Sequence, residues 1–116
     1  MAVRPPQVFS RNTEKDPLSA ALEQEILGEK ASTLSRLTGK LEKALSDLKT
    51  ADGTPGLLPG ERERLVALAG EALWHVIIQR ELCGLRQHRA FNDFLGVPKE
   101  VRLRMGPARL SGKVSQ

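Results

Sequence analysis

The residues best suited to chemistry lie in one run, "WHVIIQRELCGLRQHRAF", Trp74 to Phe91. His75, Arg80, Glu81, Cys83 and His88 stand there among apolar side chains. Glu71 and His75 are four residues apart, which puts two metal-ligand types on one helical face. A closed zinc site needs about four ligands, and Cys83 and His88 project away from that pair, so no metal and no cofactor is expected. A Cys–His nucleophile needs an adjacent base, yet on a helix Cys83 and His75 point about 80° apart and lie two turns from each other. Cys83 reads instead as a small core residue. Arg80 and Glu81 have no opposite charge three or four residues away, so they must meet a partner from elsewhere in the fold or from a ligand. Two roles fit them: a polar recognition site, or a structural tie that pins the C-terminal segment by its backbone carbonyls. The second is the usual fate of buried charges. Gly84, one turn beyond Arg80, removes side-chain bulk and permits a neighbour to come close. An enzyme built on Arg80, Glu81 and His88 has only residue types in its favour. "GTPGLLPG" lacks the Lys-Ser/Thr of a phosphate-binding loop, and no paired-carboxylate or serine-nucleophile motif is present. No catalytic residue is assigned.

The elements that must position these side chains can be read from composition and spacing. The chain has 116 residues, enough for one domain. It is 40% hydrophobic but only 3% aromatic, and 18 leucines supply the apolar bulk, a composition that favours helices over strands. The spacing predicts an all-α fold: a long antiparallel helical hairpin with one or two short C-terminal helices. An extended N-terminal arm (1–15, with Pro5-Pro6) precedes a helical domain (16–106), and a flexible basic tail (107–116) follows. Asp16 is a good N-cap and Pro17 suits the first helical position, so the first helix starts there and runs to about residue 50. Leu27, Leu34, Leu41 and Leu48 fall at steps of seven, with Leu37 and Ala44 between them, a short heptad seam of coiled-coil type. Gly28 and Gly39 each weaken this helix by about 1 kcal/mol, so a break near Gly28 is an alternative. "TADGTPGLLPGE" ends it, and a second helix is expected from about residue 61 to 88. "FNDFLGVPKEVRLRMGP" then reads as two short helices ending at Gly96 and Gly106.

The second helix is apolar on two sides. Leu65, Leu68, Ala69, Ala72, Val76 and Cys83 share one face, and Ala67, Trp74, Ile78 and Leu85 share the opposite one. One face packs on the first helix; the other needs the C-terminal segment or another subunit. Leu27, Leu34, Leu37, Leu41, Leu48, Trp74 and Ile78 are therefore the expected core or self-association seam, and a homodimer is the expected assembly. The net charge of +4 is unevenly placed: residues 86–116 carry seven basic and two acidic groups. That bias suits an anionic partner, with Arg86, Arg89, Lys99, Arg102 and Arg104 able to meet it. The alternative function is therefore a nucleic-acid-binding regulator with a degenerate helix-turn-helix, although Asn92 and Pro98 depart from that pattern. No apolar run is long enough to span a bilayer, no signal-peptide pattern opens the chain, and a lone Cys83 builds no disulfide framework; a cytoplasmic protein is expected.

The segment "ALWHVIIQRELCGLRQHRAFNDFLGVPKEVRLRMG", residues 72–106, with "QRELCGLR" followed by "GVPKEV" as its most distinctive part, resembles small bacterial proteins grouped as a domain of unknown function. The resemblance implies a helical, cytosolic, bacterial protein and transfers no activity or ligand. The functional expectation is a non-catalytic interaction or regulatory module with an unidentified protein partner.

Overall fold

The computed structural model describes residues 16–108. The arm at 1–15 and most of the tail, 109–116, lie outside the described residues. Four helices follow one another: α1 (Pro17–Asp52), α2 (Glu61–Leu82), α3 (His88–Leu95) and α4 (Lys99–Leu103), with no strand among the described residues. The fold is the all-α hairpin with short C-terminal helices.

Local chemistry sets the helix ends. The Asp16 carboxylate accepts the backbone N–H of Ser19 at 3.1 Å, and Pro17 occupies the first turn, where its missing donor is harmless. α1 then runs unbroken through Gly28 and Gly39, so the break near Gly28 does not occur. The second helix stops at Leu82 rather than near residue 88. Gly84 takes φ +83°, its N–H bonds to the carbonyl of Glu81, and the Leu85 N–H bonds to that of Arg80 at 2.9 Å. This is a complete Schellman motif, which consumes the carbonyls a further turn would need. Gly96 ends α3 by the same device, with Val97 N–H donating to Asn92 at 2.9 Å. Gly84 thus serves its backbone: nothing approaches its missing Cβ within 4 Å, contrary to the close contact expected there.

The two long helices lie antiparallel. Arg62 at the start of α2 meets Asp52 at the end of α1, while Gln79 and Leu82 near the end of α2 meet Lys30. Leu41 and Leu48 of α1 are buried against Val66, Ala69, Leu73 and Val76 of α2, and Val97 and Val101 complete the same core from the C-terminal segment. The heptad seam is thus divided: Leu41 and Leu48 are core, Leu34 and Leu37 are half-buried against it, and Leu27 is exposed.

The close approach belongs to Gly70, not Gly84. A Cβ at Gly70 would overlap the backbone carbonyl group of Arg104, just after α4, so α4 rests directly on the α2 backbone. Arg62 clamps the same end, donating from Nε to Asp52 at 2.6 Å and from Nη1 to Glu100 of α4 at 2.9 Å. These hydrogen bonds hold the carboxyls of Asp52 and Glu100 below the usual carboxylate range.

Two outcomes follow for stability. Gly70→Ala forces one backbone off another and is expected to destabilise by about 1–3 kcal/mol, whereas Gly39→Ala, exposed with open space at its Cβ, is expected to stabilise by about 1 kcal/mol. Urea unfolding of both variants measures the opposite signs. Because the folded carboxyls of Asp52 and Glu100 bind protons less readily than unfolded ones, the clamp's contribution is complete above their ordinary values of 3.8 and 4.5. It is lost as pH falls through the lowered ones. Stability should therefore fall more steeply with acid in the wild type than in Arg62→Met, as followed by urea unfolding from pH 6 downward.

Candidate functional site

Two features stand out from the packed body, one polar and one apolar. The polar one gathers the residues that the sequence marked for chemistry. The Schellman turn at Gly84 folds the chain back, so α3 begins beside the last turn of α2. Arg80 then donates from Nε to His88 Nδ1 at 3.2 Å and from Nη2 to the Gln87 carbonyl at 3.3 Å. Its guanidinium carbon lies 4.3 Å from the centre of the Phe91 ring, a cation–π contact. The other ring nitrogen, His88 Nε2, is 3.1 Å from Glu81 Oε2. A neutral imidazole with its proton on Nε2 satisfies all of these at once, accepting from Arg80 and donating to Glu81.

This arrangement has one component of a proton relay, a carboxylate orienting a histidine. It lacks the rest, because Nδ1, the nitrogen that would take up a proton, is already occupied by Arg80. Arg80 and Glu81 meet the C-terminal segment through a side chain and a backbone carbonyl. Cys83 is half-buried, and His75 is exposed and stacked on neighbouring Trp74 with ring centres 5.3 Å apart. Among the described residues no three His, Cys, Asp or Glu side chains gather as a metal site would require.

Among the described residues, the expected basic set is not all free charge. Arg102 bonds the Val97 carbonyl at 3.0 Å and Asp93 at 3.0 Å, so it holds the α3–α4 turn together. Arg104 lies against Gly70, while Arg86, Arg89 and Lys99 are exposed. α4 has five residues, little more than one turn, where a recognition helix would need several. A groove between α2 and α4 is lined by Arg62, Val66, Glu100 and Leu103, but its Arg62 and Glu100 are paired with each other.

The apolar feature is the N-terminal third of α1. Lys30 Nζ donates to the Leu82 carbonyl at 3.4 Å and Gln79 donates to the Lys30 carbonyl at 3.1 Å, which marks the level where α2 ends. Every residue of α1 before Lys30 is exposed. Leu18, Leu22 and Ile26 stand four apart on one side and Leu27 projects to another, about 180° round from Leu18, each between 51% and 70% exposed. The same stripe reaches the core at Leu34 and Leu37. Of these four, only Leu27 belonged to the expected seam. The four-residue spacing of the others was visible in "PLSAALEQEIL". At the same end of the hairpin Ile78, Leu82 and Leu85 are also exposed, while Trp74 is half-buried.

Replacing Arg80 with Met removes the bonds to His88 and Gln87 and the cation–π contact. It is expected to cost roughly 1–2 kcal/mol, concentrated in α3. Hydrogen exchange should show amide protection in residues 88–95 falling about tenfold while α1 and α2 between residues 41 and 76 hold theirs.

No helix among the described residues is long and apolar enough to cross a membrane. No curated protein and no solved structure matches the chain. One family model does match, over residues 3–113, far beyond the 72–106 that carry the sequence resemblance. The chain belongs to the family described as "Family of unknown function (DUF6665)".

Proposed function

We propose that the protein is a non-catalytic interaction module that self-associates by packing helices along the bare end of α1. The observation that carries this reading is the apolar stripe Leu18, Leu22 and Ile26, helical yet uncovered by any element among the described residues. Elsewhere on α1 the same kind of stripe is core. An isolated helical extension of this length is marginal in water, so it gains most from a partner that buries its apolar side. The polar cluster at Arg80 supports the reading from the other direction, since Arg80 Nε and Nη2, both His88 ring nitrogens and Glu81 Oε2 are bonded within the chain. A homodimer is the assembly proposed, working in a bacterial cytoplasm.

Light scattering over a range of concentrations tests it. The wild type, 12.7 kDa as a single chain, should approach twice that mass as concentration rises. Leu22→Lys combined with Ile26→Lys should hold it at the single-chain mass without altering the core, because both side chains are exposed. A wild type that stays single at every concentration refutes the reading, and so does a doubly substituted chain that still doubles.

A further inference from the structure

Resting on that reading, we infer that the partner copy lies antiparallel, with the two Leu22 side chains facing each other at a two-fold axis and each Leu18 against the other copy's Ile26. The argument is one of length and of where helices end. Residues 17–29, thirteen in all, extend beyond α2, a bare segment of about 20 Å. Whatever helix lies along their apolar side must stop at the level of Lys30, because from there on α2 occupies the seam. A second copy laid parallel and in register would continue past that level and run into α2. Laid antiparallel about Leu22, its own α1 begins at Pro17 opposite residue 27, one turn short of where α2 ends. The gap and the segment that fills it have the same length because they are the same segment. The contact is therefore self-complementary, as a two-fold interface requires.

Helix polarity favours the same arrangement. The C-terminal end of α2, with its partial negative charge, would face the N-terminal end of the partner's α1, with its partial positive charge. Leu18, Leu22 and Ile26, even with Leu82 and Leu85 at the junction, leave the total for two copies below the roughly 1,200 Å² lower bound of stable interfaces. The dimer should accordingly depend on concentration. Glu23, Glu25 and Glu29 give the bare segment an acidic flank, so two copies bring like charges together. Added salt should tighten this dimer by screening them, opposite to its effect on an ion-paired interface.

The test is disulfide trapping in the full chain, in a Cys83→Ser background that removes the one native thiol. In the antiparallel pair the two Leu18 positions are about 12 Å apart along the axis, too far for a disulfide, while Leu18 and the other copy's Ile26 are level. A mixture of Leu18→Cys and Ile26→Cys chains should therefore give covalent dimer under mild oxidation. Leu22→Cys alone should do so, and Leu18→Cys alone should not. Trapping by Leu18→Cys alone, with no mixed Leu18–Ile26 disulfide from the mixture, means a parallel pair; it overturns this inference and leaves self-association standing. A protein that is dimeric by mass but trapped at none of these positions associates elsewhere, which overturns both the register and the role of the bare end. A chain that stays single overturns the whole.

Discussion

A 36-residue helix cannot be covered by a 22-residue one, and most of the architecture follows from that inequality between α1 and α2. Where the two overlap, Leu41, Leu48, Leu73 and Val76 exclude water together, and this layer supports everything attached to it. Where they do not, the chain keeps its helical conformation but has nothing among the described residues to bury against. Local propensity holds the bare part, aided by one capping carboxylate at Asp16. The same helix thus has a stretch stabilised by packing and a stretch stabilised by little more than its own hydrogen bonds.

The C-terminal segment is short of hydrophobic material and is attached by other means. α3 and α4 contribute few wholly buried side chains around Val97 and Val101. Position is fixed by two glycine-terminated turns and three arginines. Arg80 ties the start of α3, Arg102 ties the turn after it, and Arg62 ties α4 to both ends of the hairpin loop. Each guanidinium reaches more than one acceptor in a fixed plane, which suits holding short elements that cannot hold themselves. Exposed ion pairs contribute modestly to stability, so their role here is to choose one orientation.

The hairpin was legible because its signals are local and repeated. Asp16-Pro17 announces a helix start, the leucine steps announce a long amphipathic helix, and the Gly/Pro loop announces the reversal. The end of α2 was misplaced because Gly84 interrupts a sequence otherwise apolar enough to continue; only the positive φ that glycine allows explains the stop. Gly70 went unremarked for the converse reason: a glycine in mid-helix is ordinary until another backbone is known to lie on it. For the candidate site, the residue types at Arg80, Glu81 and His88 were visible but their meeting was not, since it depends on that turn. The stripe at Leu18, Leu22 and Ile26 reads as ordinary core in sequence, and its exposure follows only once the length of α2 is known.

Gly28 gains a different meaning once that boundary is drawn. It falls just before Lys30, where cover by α2 begins, and its Cβ position faces open space. A residue with poor helix propensity at the edge of support lets the outer segment gain or lose helical order with little consequence for the body behind it. Any partner docking there must meet the conformational entropy of organising that segment. The strength of docking is then adjustable from a site that the partner never touches. Preorganisation, rather than contact chemistry, becomes a means of setting affinity.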